Sequence, residues 1–397
     1  MESPAGEFSP PARILLGPGP SNVHPRVLRA MTAPLLGYLD PDFLRVMDGV
    51  TALLQRVFGT ANNFTLAVSA TGSGGMEAGV ANLLEPGDLA VIGTHGFFGE
   101  RMAEIASRHG AQVCTVPSEW GRPLDPSDVE KELKKHPKVK VLGVVHAETS
   151  TGVLQPLEEM ARLARQYEAL LLVDAVTSLG GSPVEVDRVG IDFCFSAAQK
   201  CLGAPPGLAP ATVGPRGIQA IQGRKGKPHT WYLDLGLLRQ YWEATKTRVY
   251  HHTAPAPLIY ALREALRIVL EEGLEARYAR HRRNGRALRE GLEALGLRLL
   301  VPEEHCTYQL TTVLVPDGVD QEKVRDALRV GYNIEIGGGL AKFRGRMWRI
   351  GLMGESSTAA NVLYLLSALE ALLPRFGYEV PVGAGVAAAS RVLAEAR

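Results

Sequence analysis

The sequence predicts an α/β fold: a large domain with a mainly parallel seven-stranded sheet between helices, then a smaller C-terminal α+β domain. Three observations carry this. From about residue 45 to 215, short apolar, β-rich runs alternate with helical segments, the pattern of a parallel sheet covered on both faces. At 397 residues the chain is too long for one ordinary core. Near residue 273 the alternation gives way to a different arrangement of helices and strands.

Residues 1–13, rich in Pro, Ser and Glu, read as a flexible arm. The large domain spans 14–272 and the small one 273–397. Helices are expected near 43–57, 74–84, 98–109, 126–135 and 157–168. Strands are expected near 64–69, 89–93, 111–116, 139–146, 169–174, 192–197 and 209–213. The punctuation agrees: Gly110 follows ERMAEIASRH, and Asp125-Pro126 opens the next helix. In 258–273, Leu258, Leu262, Leu266, Val269 and Leu270 share one helical face and Gly273 stops the helix. A basic helix over 276–294 follows, then the strand-like runs LRLLV, LTTVLV and RMWRIGLM, and a helix over about 358–373. The Ala- and Gly-rich stretch VPVGAGVAAASRVLAEAR reads as a loosely docked helix. There is no internal repeat.

With 43 basic and 42 acidic residues the net charge is +1, which gives no footprint for nucleic acid or an anionic membrane. The apolar stretches fall short of the ~20 residues of a membrane span. The start shows no signal pattern and the end no peroxisomal address, so a cytoplasmic location is expected. Cys114, Cys194, Cys201 and Cys306 are scattered without CxxC spacing and read as reduced thiols; no metal site is expected.

Two buried-looking strands each end on one ionisable residue: ALLLVD on Asp174 and DFCFSAAQK on Lys200. Ligands of open α/β sheets bind at strand ends. A lysine there can form a Schiff base, and a carboxylate can pair with a protonated ring nitrogen. Those are the two demands of a pyridoxal 5′-phosphate site. Lysine before a turn is usually solvated, and Asp after a strand commonly caps a turn; here small residues precede Lys200 and the Gly-Ala-Pro-Pro-Gly turn follows it. The loop SATGSGGME (69–77) offers Gly72, Gly74 and Gly75 for close backbone approach and Thr71 and Ser73 as hydroxyls, with a helix N-terminus aimed at a phosphate. It is neither a Walker loop nor a dinucleotide fingerprint, and an ordinary strand–helix turn reads the same way. Thr149 follows a strand and can reach the phosphate or the ring. Phe97 or Phe98 can stack on a flat ring or pack in the core. Arg349, between Trp348 and Ile350, is an unusual place for a charge and suits a bidentate clamp on a substrate carboxylate. The pair His251-His252 lacks metal-ligand spacing and reads as structural.

Taken together, LLGPGPSN, TGSGGMEA, HAETSTGVLQP, LLLVDAVTSLGG, SAAQKCLGAPPG, WYLDL, YHHTAP and IGGGL resemble the class V branch of the fold-type I pyridoxal-phosphate enzymes. Within that branch the sequence is most similar to the alanine–glyoxylate / serine–pyruvate aminotransferases. The likeness covers 15–357, almost the whole chain. It implies Lys200 as the Schiff-base lysine, Asp174 as partner of the pyridine nitrogen and Phe98 as the stacking residue. It implies Thr71, Gly72, Ser73 and Gln199 at the phosphate and Thr149 beside the ring oxygen. Tyr250 and Thr253 are implied to complete the neighbouring subunit's phosphate site in a homodimer with active sites at the interface. Arg349 would hold the substrate carboxylate, with Gly19, Gly37 and Tyr38 at the substrate entrance. The implied activity is ping-pong transfer of an amino group from alanine or serine to glyoxylate or pyruvate, small amino-acid and 2-oxo-acid partners. Three departures stand out: SAAQK for SGSQK, Tyr38 where His is frequent, and TYQLTTV without Leu-Pro-Thr. They bear on donor and acceptor choice. Rival readings are a kynurenine- or ureidoglycine-type donor, a cysteine desulfurase or lyase with Cys306 as nucleophile, and a non-enzymatic regulator.

Overall fold

The computed structural model describes residues 9–243 and 247–395. Most of the expected arm, 1–8, lies outside the described residues; residues 9–12 are exposed and carry no regular structure.

The chain opens with β1 (Ile14–Leu15) and α1 (Pro25–Ala30), then α2 (Pro41–Phe58), capped by the Asp40 carboxylate and ended by left-handed Gly59. The alternating part follows: β2 (Thr65–Val68), α3 (Gly72–Leu83), β3 (Leu89–Thr94), α4 (Phe97–Arg108), β4 (Gln112–Pro117), α5 (Pro126–Lys134) and β5 (Val141–Val145). A ribbon of β6 (Ala147–Glu148) and β7 (Val153–Leu154) leads into α6 (Glu158–Gln166) and β8 (Leu170–Asp174). Next come the one-turn α7 (Val186–Val189), β9 (Phe193–Phe195), β10 (Ala209–Val213), α8 (Pro215–Gln222) and α9 (Leu235–Trp242). Each expected strand of the alternating part forms, within a few residues of its bounds.

The seven strands are ordered β2-β10-β9-β8-β5-β3-β4, and β10 alone runs against its neighbours. Every residue of β5 and β8 is buried, which requires cover on both faces. One helical layer contains α3 and α4, in contact with each other; the other contains α5 and α6. The carboxyl ends of β2, β3, β5, β8 and β9 therefore lie along one edge of the sheet. In register, Asp174 faces Val145 on one side and Phe195 on the other, at the middle of that edge.

Two long helices, α10 (Ala256–Glu272) and α11 (Leu274–Ala294), lead into the second part of the chain. There β11 (Leu310–Leu314), α12 (Gln321–Gly331), β12 (Ile334–Glu335), β13 (Gly337–Gly338), β14 (Met347–Gly351), α13 (Ala359–Leu372) and α14 (Ala384–Glu395) follow. An antiparallel sheet β11-β14-β13 packs with these helices around a second hydrophobic core.

Four expectations need correction. Ile14 and Leu16 pack with the second core, because β1 pairs in parallel with β12, so residue 14 does not open the large domain's core. LRLLV makes a single bridge, Leu299 to Val313; Pro302, lacking an amide hydrogen, follows at once. The Ala- and Gly-rich end is firmly docked: Gly385, Ala388, Ala389 and Val392 are buried. A Cβ on Gly291 of α11 would come within 3.0 Å of the Gly385 carbonyl, so two glycines set how closely these helices approach. The stretch Ala359–Phe376 is long and apolar enough to cross a membrane by composition. Its Val362, Leu365, Leu366, Leu369 and Leu372 instead fill the second core.

Candidate active site

The sheet edge that gathers the strand ends holds a cavity of about 170 Å³. Thr71, Gly72, Ser73, Phe98, Thr149, Asp174, Gln199 and Lys200 all line it, together with Met76, Arg101 and Val176. The five loops that supply them leave β2, β3, β6, β8 and β9, so parallel strand direction brings distant sequence together here. A larger groove of about 390 Å³ lies beside α8 and α9, but its charged residues, Arg239 and Glu243, pair with each other.

Lys200 is held by its backbone rather than by the Pro-rich turn alone. Ser21 Oγ donates to its carbonyl at 2.9 Å, and Arg277, buried and paired with Glu272, donates to the Cys201 carbonyl at 2.6 Å. The Lys200 ammonium donates to the Pro18 carbonyl. Burial lowers its pKa to about 8, Arg349 pushes the same way, and Asp174 opposes them. Gly19, at φ +107°, lies against this side chain: a Cβ there would sit 2.5 Å from Nζ.

Asp174 accepts a 2.8 Å bond from the Val176 amide, and burial raises its carboxyl to about 7; nearby Glu148 adds to the rise and Lys200 opposes it. A buried carboxyl in that state ionises fully only when a cation arrives beside it. Phe98 enters at the start of α4, where its amide donates to buried Glu148 at 3.1 Å. Glu148 also accepts from the Ser150 amide and hydroxyl, at 2.9 and 2.7 Å. Arg101, one turn beyond Phe98, covers its ring at 4.8 Å and donates to Ser73 Oγ at 2.9 Å.

The phosphate loop is open on one side. Thr71 caps α3 without a side-chain bond to the helix, leaving its hydroxyl free, and Thr71 and Ser73 are exposed while Gly72 is buried. A Cβ on Gly72 would approach Ala197 Cβ and Val176 Cγ2 at 3.1 Å, so the extra methyl of SAAQK lies beneath this loop. Gln199 keeps a buried amide oxygen without a partner. Arg349 does not line the cavity wall but borders it: buried in β14, it donates to the Gly338 carbonyl at 2.7 Å and the Thr149 carbonyl at 3.2 Å. No carboxylate among the described residues forms an ion pair with it, although Glu148 lies near enough to favour its charge.

The entrance residues behave differently. Gly37 is exposed and outside the cavity lining, since its nearest neighbour would be Asp40 Cβ at 4.0 Å. Tyr38 packs against Tyr250, rings tilted by 38° with centroids 4.5 Å apart. Tyr250 and Thr253 meet one another at 3.4 Å and do not line this chain's cavity. His251 and His252 share a 2.8 Å bond, and His252 reaches Ser69 Oγ at 2.7 Å; burial holds His252 near 4, hence neutral. Cys306 is no mobile nucleophile: it is buried against Val153 and Val301, and burial raises its thiol pKa. Arg101 and Glu148 are the residues that the sequence reading passed over. Arg101 had a signal, since it lies three residues after Phe98 on a helix and so shares its face. Glu148 had none, because the amide it holds in place at the site, that of Phe98, comes from another loop.

These features fit pyridoxal phosphate: a lysine of lowered pKa, an opposed carboxyl, a ring-sized gap over Phe98 and a glycine-bottomed anion cradle. The sequence profile of the family Aminotransferase class-V matches residues 15–354. The (S)-ureidoglycine–glyoxylate transaminase of Bacillus subtilis is 40% identical, over 96% of this chain and 96% of that protein. The alanine–glyoxylate aminotransferase of Drosophila melanogaster is also 40% identical, over 90% of this chain and 92% of its own length. The crystal structure of an alanine–glyoxylate aminotransferase from Nostoc sp. superposes with a TM-score of 0.90 at 47% identity, covering 94% of this chain and 97% of that one.

Proposed function

We propose that this chain, which belongs to the class-V aminotransferase family, moves the amino group of alanine or serine to glyoxylate or pyruvate. It is a pyridoxal-phosphate-dependent transaminase of the fold-type I class. The observation that carries the substrate reading is buried Arg349, bonded to two carbonyls and to no carboxylate, at the border of the cavity that holds Lys200. A guanidinium so placed matches an α-carboxylate bidentately.

When bound, pyridoxal phosphate supplies an electron sink for the substrate's α-carbon. The residues divide the remaining work. Arg349 grips the carboxylate and so fixes which Cα bond faces the cavity. Lys200, whose lowered pKa of about 8 makes its neutral amine accessible at mildly basic pH, would take the Cα proton and later return one. Asp174 holds a negative charge opposite the ring nitrogen. Phe98, positioned by Glu148, supports the ring face. Thr71, Gly72, Ser73 and Gln199 face the anionic tail, with Arg101 adding positive charge behind Ser73. A second substrate entering the same site runs these proton movements in reverse, which makes the kinetics ping-pong.

The neighbouring subunit completes the site in this reading. Thr71 and Ser73 open to solvent, and Tyr250 (47% exposed), Trp231 (62%) and Leu35 (70%) are exposed large apolar side chains of the kind a second copy would cover. The test is direct. The purified protein is expected to be yellow, and borohydride to fix the cofactor at Lys200. A donor-by-acceptor matrix is expected to favour alanine or serine with glyoxylate or pyruvate. A colourless protein overturns the cofactor assignment; preference for ureidoglycine overturns the donor.

A further inference from the structure

Far from the cofactor, at the edge of the sheet, β4 packs on α5, and three unlike side chains converge there. Cys114 Sγ lies 3.4 Å from His136 Nε2, which lies 3.2 Å from Glu132 Oε1. One ligand atom from each residue falls within 4.8 Å of the others. Nothing in transamination uses them. We propose that Cys114, Glu132 and His136 bind one zinc-class divalent cation, with water as the fourth ligand.

Three arguments support this. The first is spacing: a tetrahedral zinc at about 2.3 Å from sulfur and about 2.0–2.1 Å from nitrogen and oxygen sets its ligands roughly 3.6 Å (S to N) and 3.3 Å (N to O) apart. The observed S–N and N–O separations differ from these by about 0.2 Å or less, and the remaining S–O pair lies within 4.8 Å. The second is donor chemistry. Thiolate, imidazole and carboxylate together suit zinc and its soft neighbours rather than magnesium or calcium. Burial and Glu132 hold the Cys114 thiol protonated, so the cation replaces the thiol proton, which leaves to solvent. The third is support. Glu132 lies in the last turn of α5 and His136 two residues past its end, and Lys135 binds the second Glu132 oxygen at 2.7 Å, which leaves the first oriented toward His136. The spacing along the chain shows no zinc motif because the thiol comes from a strand and the other ligands from the end of a helix.

The consequence is local. β4 is the outermost strand of the seven-stranded sheet, and a cation would pin this free edge to α5. The experiment uses the intact holoenzyme, stripped with EDTA and titrated with Zn²⁺ by calorimetry and native mass spectrometry. Expected is one zinc per chain, an upward shift in Tm with zinc, and affinity weakened about a hundredfold or more in Cys114→Ser and in His136→Ala. Co²⁺ is expected to give a thiolate charge-transfer band in wild type that Cys114→Ser lacks. Both variants are expected to keep full transaminase activity, which shows that they fold. Zinc binding unchanged in both variants, or none in wild type at micromolar metal, overturns the proposal. So does a Tm shift that survives Cys114→Ser.

Discussion

The floor and the rim of the cavity are built in opposite ways. The floor is made by one chain: Asp174 and Glu148 are buried, Lys200 is tied through Ser21 and Arg277, and Phe98 is anchored by its own amide. The rim is exposed. Thr71 and Ser73 open outward, Gly37 touches nothing closer than Asp40, and Tyr250 and Thr253 bond mainly each other. Parallel strand ends enclose the floor within one chain, but Thr71 and Ser73 open to the surface. In the proposed dimer, acid–base chemistry would belong to the single chain and the final grip on the phosphate to its partner.

The largest test attacks the floor. Lys200→Ala is expected to lower kcat/KM by about 10⁴-fold or more, the upper range of acid–base catalysis, while the dimer persists. Capture of cofactor by stripped wild-type protein is expected to speed up as pH rises through about 8, because only the neutral amine reacts with an aldehyde. A free lysine, at 10.5, would place that rise more than two units higher. A profile flat between pH 7 and 9 would mean that Lys200 is not the reacting group. Next in size, Arg349→Ala is expected to raise KM for the amino donor about 10–100-fold, the worth of a charge-assisted bond of roughly 1.5–3 kcal/mol. Cofactor affinity is expected to hold, since Arg349 reaches the carbonyls of Gly338 and Thr149 and not the phosphate loop.

A smaller effect tests the rim. The double variant Tyr250→Phe with Thr253→Val is expected to weaken cofactor binding about tenfold, from lost hydrogen bonds to an anion. Mixing it with Lys200→Ala chains distinguishes the two architectures. If the rim acts across the interface, each mixed dimer regains one intact site, and activity returns to roughly half per dimer. If it acts within the chain, the one site that keeps Lys200 also keeps the damaged rim, and the mixed dimer binds cofactor about tenfold more weakly, like the double variant. Equilibrium dialysis and assay of tagged, purified heterodimers read both outcomes.

The floor was also the more legible half. Alternating apolar runs placed the parallel strands: β8 ends on Asp174, while β9 ends at Phe195, five residues before Lys200, so strand direction carried both toward one edge. Gly72 in its loop and Arg349 between apolar neighbours were visible for the same reason: a glycine and a charge in places that need a partner. Glu148 was hidden because its job at the site, bonding the Phe98 amide, depends on a loop fifty residues away. β1 was misplaced because two residues carry no period, and its partner, β12, lies more than three hundred residues downstream. Gly37, expected at the substrate entrance, lies exposed outside this chain's cavity, since a motif gives proximity in sequence and not which way a loop turns.

The smallest prediction concerns Tyr38, where the two halves meet. Its carbonyl accepts the Tyr241 hydroxyl at 2.8 Å, so its backbone is fixed, while its 38%-exposed ring leans on Tyr250. An aromatic pair of this kind is worth about 0.5–1.5 kcal/mol, roughly two- to tenfold in a binding constant. Tyr38→His keeps a flat polar ring but weakens the apolar contact. If Tyr38 serves the substrate entrance, KM for donors should shift by only a few-fold, unequally among alanine, serine and larger amino acids, with cofactor affinity unchanged. If it braces Tyr250 for the partner's phosphate, all donors should suffer alike and the dissociation constant of the cofactor should rise. A donor series measured beside a cofactor titration separates the two. A uniform loss would move Tyr38 from the substrate entrance to the phosphate side of the rim.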